Sequence, residues 1–112
     1  MENHSLTQLV ETFNSGRYRE CVEPFEALYF PRRQAGYKGL IQLAVALLQL
    51  DLGLTSGPVR LLEGSRRLLS DSGGADLPTL DIPSLIEQIR DMEAWLAAGK
   101  TGARPIVQLR LL

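Results

Sequence analysis

The sequence predicts an all-α protein: a compact bundle of about five helices around a central apolar helix, followed by an extended C-terminal tail. The central helix is the clearest signal, because between Leu40 and Leu52 only Gln42, Gln49 and Asp51 are polar. A helix that is apolar on nearly every side has to be surrounded by other elements. It is also too short for a bilayer, which requires about 20 apolar residues. Apolar residues at helical spacing on both sides of it supply the surrounding elements.

The first helix begins at a capping box, in which Ser5 and Gln8 each bond the other's backbone N–H. Asn14 and Ser15 then lead to Gly16, which suits the left-handed end of a helix. One helical face carries the apolar residues Leu6, Leu9, Val10 and Phe13. Because the next connection is short, the first two helices should form an antiparallel hairpin.

The second helix is predicted from Arg17 to Phe30. Pro24 lacks the N–H that a helix needs at that position, so we expect a kink there or a helix that restarts nearby. Arg19 and Glu23 are spaced for an ion pair four residues apart. A continuous apolar stripe is formed by Tyr18, Cys21, Val22, Phe25, Leu28 and Tyr29. Cys21 lies in this stripe and is predicted to be a small buried residue rather than a nucleophile.

The remaining helices are separated by one long connector. Ser56 is the predicted N-cap of the fourth helix, with Pro58 in its first turn. Residues 71–81 are rich in Gly, Ser and Asp and form the best candidate for a mobile segment. Asp81 is then predicted to cap the fifth helix, which ends at Gly99.

We divide the chain into a helical-bundle domain, residues 1–99, and a tail, residues 100–112. Val107, Leu109 and Leu111 alternate with polar residues, which is typical of an extended segment with one buried side. We expect the tail to pack on its own bundle or on a partner subunit. A homodimer is therefore one of the expected assemblies.

Composition points to a soluble protein of the cytoplasm that binds neither nucleic acid nor a membrane. The formal charge is −1 and the isoelectric point is near 5.8, so no net positive charge attracts polyanions. A single cysteine excludes an internal disulfide and a cysteine zinc cluster. The first four residues lack the basic and apolar regions of a signal peptide.

Chemistry-bearing residues are few. His4 is the single histidine, and it lies in a terminus, so neither a His-based triad nor a metal site in the core is expected. We predict no catalytic residue, no metal and no cofactor. If the protein does bind a ligand, its pocket should be lined by Glu23, Glu26, Gln42 and Gln49, one carboxylate pair and two amides on the central helix.

Two motifs carry a resemblance to a known family. They read Phe13-Asn-Ser-Gly-Arg-Tyr-Arg-Glu20, followed by Glu23 and Glu26, and then Gly39-Leu-Ile-Gln-Leu-Ala-Val-Ala46. Together they resemble the small all-helical family called domain of unknown function 309, over roughly Leu9 to Leu69. The resemblance implies a fold and no assigned activity.

The sequence departs from the family pattern at several positions. Val22 stands where the family has its first histidine, Gln49 or a neighbour where it has the second, and Tyr29 where it has a tryptophan. Pro24 also interrupts the motif helix. If relatives use a histidine–glutamate constellation, half of it is missing here.

Two functions remain open on the sequence. The first is a non-catalytic module that binds an unknown protein partner or itself, through the tail and the apolar groove between helices. The second is a small enzyme or ligand-binding protein that uses the four pocket residues. The absence of a core histidine, a metal cluster and a phosphate-binding loop favours the first.

Overall fold

The computed structural model of the chain describes residues 5–112, and it confirms the all-α fold. Within this range five helices of nine residues or more follow one another: α1 Leu6–Asn14, α2 Arg19–Tyr29, α3 Ala35–Asp51, α4 Ser56–Leu68 and α5 Ile82–Ala97. A helical connector, residues 69–76, joins α4 to α5; it is made of a π-helical turn, Leu69–Gly73, and one α-helical turn, Gly74–Asp76. His4 lies outside the described residues.

Local signals place four helix ends where the sequence predicts them: the starts of α1 and α5 and the ends of α1 and α3. At the start of α1 the N–H of Gln8 donates to Ser5 Oγ at 3.3 Å, and the N–H of Ser5 donates to Gln8 Oε1 at 3.0 Å. Asp81 accepts from the backbone N–H three residues later, at the start of α5. Gly16 and Gly53, with φ near +80° and +84°, end α1 and α3 in a conformation that other residues adopt only with strain.

Helix α3 lies between α2 and α4 and contacts both. Its fully buried residues include Leu40, Leu43 and Leu47, which join the side chains of every other helix in one core. The approach to α4 is close, because Ser65 Oγ donates to the carbonyl oxygen of Gly39 at 2.7 Å. Among residues 5–112 Ser65 is the one polar residue that is fully buried, and this bond satisfies it.

The segment predicted as a long connector, residues 71–81, is in part helical, and its mobility stays a prediction. Its glycines and serines suggested irregular structure, but it is helical up to Asp76, and the apolar residues Leu77 and Leu80 are buried and hold it against the bundle. Asp76 Oδ2 accepts a hydrogen bond from the N–H of Gly36 at 2.8 Å. The connector thereby caps the N-terminus of α3, whose own N-cap residue makes no side-chain bond.

The details of α2 and α4 also bear on what was expected. Helix α2 continues through Pro24, from Arg19 to Tyr29, so the expected restart is wrong, and the alternative, a kink at Pro24, stays a prediction. Among residues 5–112 Arg19 makes no ion pair with Glu23; the pair at this end of α2 joins the side chains of Arg17 and Glu20 at 3.6 Å. Ser56 is the first residue of α4 and not its cap. Pro58 remains in the first turn, where a backbone N–H has no acceptor within the helix.

The tail packs along the bundle through paired hydrogen bonds. Asn14 donates to the carbonyl of Leu109 and accepts from its N–H, both at 2.8 Å. Gln88 makes the same two bonds with Gln108, at 3.0 and 2.7 Å. Both amide side chains thus act as a strand edge would, and Val107 and Leu109 are each only 2 % exposed. The end of the tail continues to a single antiparallel bridge between Leu80 and Leu111.

From Ser5 onward, none of the helices combines the length and the apolar character required to cross a membrane.

Candidate functional site

Two of the predicted pocket residues, Glu23 and Glu26, lie on the outer flank of α2. They line an open groove of about 490 Å³ between α2 and α3, together with Arg19, Val22, Val45 and Leu48. Within residues 5–112 neither carboxylate takes part in an ion pair. The groove is apolar at its floor and acidic at its rim, and it is too open to desolvate a carboxylate for acid–base chemistry.

The other two, Gln42 and Gln49, face α4. Gln49 Oε1 lies against the Cα of Gly57, and Gln42 Oε1 is 2.5 Å from the point that a Cβ on Gly64 would occupy. Both oxygens are buried, and no N–H or O–H of the described residues reaches them. Their neighbours are glycine Cα–H groups, which are weak donors at close helix contacts.

The structure therefore does not bring the four residues together around one cavity. Gln42 and Gln49 are seven positions apart, as are Gly57 and Gly64, so each pair repeats after two helical turns. Because α3 and α4 run antiparallel, Gln42 meets Gly64 and Gln49 meets Gly57. The glutamines thus lie at the α3–α4 contact, and the glutamates stand on the opposite side of α3, at the α2 groove.

One surface was missed by the sequence analysis. A helix apolar on nearly every side was expected to be surrounded, yet α3 keeps one uncovered stripe. Its members recur at i, i+4, i+7 and i+11, and they are Ile41, Val45, Leu48 and Leu52. The first three are half-buried, and Leu52 is 62 % exposed. We call these four residues the α3 stripe.

The signal for the α3 stripe was present in the sequence. These positions form one row on the helix, and the glutamines form the row beside it. Periodicity could not tell which row would be left uncovered, because every row of this helix is apolar or carries only neutral amides between Leu40 and Leu50.

A second, smaller cavity of about 220 Å³ lies where the tail crosses the end of α3. Arg104 Nη1 binds Asp51 Oδ1 at 2.8 Å, and Tyr18 lines the cavity beside them. Burial raises the pKa of the Tyr18 phenol, and the nearby Asp51 carboxylate raises it further. The phenol therefore stays protonated at neutral pH, and Tyr18 presents a hydroxyl to the cavity rather than a phenolate.

Cys21 is fully buried, as predicted. Its thiol lies 3.9 Å from the carbonyl oxygen of Leu9. Burial, and then the charge of Glu20, raises the pKa of the thiol to about 11. A nucleophilic cysteine needs the opposite environment, so Cys21 acts as part of the core.

No three His, Cys, Asp or Glu side chains between Ser5 and Leu112 are grouped as metal ligands would be. That the protein uses no metal and no cofactor stays a prediction.

Comparison with known families gives one match. A family model described as "Domain of unknown function (DUF309)" matches residues 6–61, half of the 112-residue chain. This chain belongs to the DUF309 family. The DUF309 match covers α1, α2, α3 and the start of α4, and so includes the α3 stripe and the acidic groove. Neither the curated proteins nor the solved structures gave a match. That Val22, and Gln49 or a neighbour, stand where the DUF309 pattern has histidines stays a prediction.

Proposed function

We propose that this chain is a non-catalytic protein-interaction module that binds a protein surface over the α3 stripe. The observation that carries the proposal is the partial exposure of Val45 and Leu48, which line the groove in the middle of the central helix. A continuous apolar surface on a folded domain is typical of an interaction site. The proposal also places the protein in the cytoplasm, with its single cysteine as support.

The surroundings of the α3 stripe support this function. The α2 side carries Glu23 and Glu26, and the α4 side carries the exposed Arg60 and Arg67. Protein interfaces commonly have such an apolar centre with a charged rim. The alternative, a pocket for a small ligand, finds less support, because its proposed carboxylates and amides lie on different sides of α3.

A photo-crosslinking amino acid at position 48 tests the proposal in cells that express the chain at its natural level. We expect covalent protein adducts on irradiation, including adducts with the chain itself. The matched control carries the same amino acid at Glu87, an exposed position on α5. Equal adducts at both positions, or none at position 48, would refute the proposed function.

A further inference from the structure

We infer that the α3 stripe is covered by a second copy of this chain, in a two-fold dimer whose two α3 helices run parallel. The inference rests on the proposed function and names its partner. It follows from the charges on the two rims of the stripe and from their positions along α3.

The α2 rim and the α4 rim carry opposite charges at the same level of α3. Glu23 is the middle one of the three charged α2 residues that share the groove with Val45 and Leu48, which places it within about a turn of residue 46. On the other side, Gln42 faces Gly64 and Gln49 faces Gly57. Arg60, which lies between those two glycines on α4, is therefore also near the level of residue 46.

The two rims also differ in their overall charge. On the α2 side Glu26 continues the acidic rim in the direction of the α3 N-terminus, and Arg19 lies one turn from Glu23 in the other direction, so the rim is net negative. On the α4 side Arg67 continues the basic rim toward the α3 N-terminus, with Glu63 bound to it at 2.6 Å. Arg60 takes part in no ion pair among residues 5–112, and neither does Glu23. Each rim thus offers a charge that residues 5–112 leave unpaired.

A two-fold dimer over the α3 stripe can have its axis either parallel or perpendicular to α3, and the rim charges differ between the two arrangements. An axis parallel to α3 places the α2 rim of one copy against the α4 rim of the other and preserves the level along the helix. Glu23 then meets Arg60 of the second copy, and the contact occurs twice. An axis perpendicular to α3 at this level places Glu23 against Glu23 of the second copy and Arg60 against Arg60, which brings like charges together. Charge therefore selects the parallel arrangement.

The surface is large enough for such a dimer. Helix α3 has 17 residues and is about 25 Å long at 1.5 Å per residue. Two helix spacings of 8–10 Å put the axes of α2 and α4 about 16–20 Å apart. A standard interface takes about 800 Å² from each partner, roughly an eighth of the 6425 Å² that this chain exposes. The face between the outer flanks of α2 and α4 is of that order.

Sedimentation equilibrium of the full chain at micromolar concentrations tests the inference, with a charge-exchange series. We expect a dimer whose dissociation constant rises about tenfold in Glu23→Arg and in Arg60→Glu, because each changes an attraction into a repulsion at two places. The double variant should return to within about threefold of the parent. Both residues are exposed, so melting temperatures measured at concentrations where the chain is monomeric should stay unchanged.

Other results would overturn the inference. A chain that is monomeric at all concentrations refutes the dimer. If position 48 still crosslinks to another protein, the proposed interaction function stands although the dimer does not. A dimer whose dissociation constant is changed by neither Glu23→Arg nor Arg60→Glu does not pair the two rims, and so refutes the parallel arrangement. A dimer that is indifferent to Leu48→Asp uses another face, and refutes the inference altogether.

Discussion

Replacing Asn14 by Ala should loosen the tail and lower the free energy of unfolding by about 1–3 kcal/mol. The Asn14 side chain makes two hydrogen bonds to the backbone of Leu109, both at 2.8 Å and partly buried, across 95 positions of sequence. A hydrogen bond contributes about 0.5–1.5 kcal/mol net, and two give the range stated. The loss of unfolding free energy has an upper limit. If leaving the backbone groups of Leu109 unpaired costs more than detaching the tail, the tail detaches. Detachment exposes Val107 and Leu109, at about 1.5–3 kcal/mol each.

The chain supplies a matched control for this substitution. Gln88 makes the same two bonds to the backbone of Gln108, but at an exposed site. Water can replace those bonds, so Gln88→Ala should cost less than about 0.5 kcal/mol. Urea unfolding followed by circular dichroism gives both values, and hydrogen exchange at the N–H of Leu109 reports the local opening. Equal costs for the two variants would refute the assignment of the tail's attachment to Asn14.

Three further predictions concern stability and reactivity. Asp76→Ala should cost about 1 kcal/mol in urea unfolding because it removes the cap of α3, whereas Asp71→Ala, exposed in the same connector, should cost nearly nothing; equal costs would contradict the cap. Leu47→Ala should cost about 2–5 kcal/mol by the same measurement, and Val45→Ala much less, with similar costs for both counting against the α3 stripe. Because the pKa of Cys21 is raised from 9.0 to about 11, its thiolate at about pH 8 is about 100-fold scarcer than in the unfolded chain, and alkylation should be at least that much slower. The raised pKa stabilises the fold fully below about pH 9, and this contribution is lost as the pH rises toward 11, so Cys21→Ala should lose less stability over that interval.

The helix order could be predicted from the sequence because its signals are local. A capping box at Ser5, a terminal glycine at Gly53 and an acidic cap at Asp81 each act within one helical turn. Apolar periodicity then marks which face of α1, α2 and α5 is buried. These signals require no knowledge of the rest of the fold, and the structure has the helices that they predict.

The connector and the tail could not be placed in this way. Asp76 caps α3 from 40 residues away, and Asn14 binds Leu109 from 95 residues away. The local composition of neither segment predicts such a contact. The predicted pocket was assembled from residue types at helical spacing, and spacing along one helix does not tell which neighbour each row will face. Gln42 and Gln49 were singled out correctly as a strip, but their glycine partners lie on another helix.

The open side of α3 follows from how many neighbours the chain can supply. Helices α2 and α4 flank α3, and the remaining core packs beneath it. The tail is the other apolar segment that could have covered the α3 stripe, but hydrogen bonds from Asn14 and Gln88 and the bridge to Leu80 hold it elsewhere. Within residues 5–112 no further apolar segment is left to cover Val45 and Leu48. The apolar excess of the central helix, which first suggested complete burial, therefore leaves the surface that the proposed partner would cover.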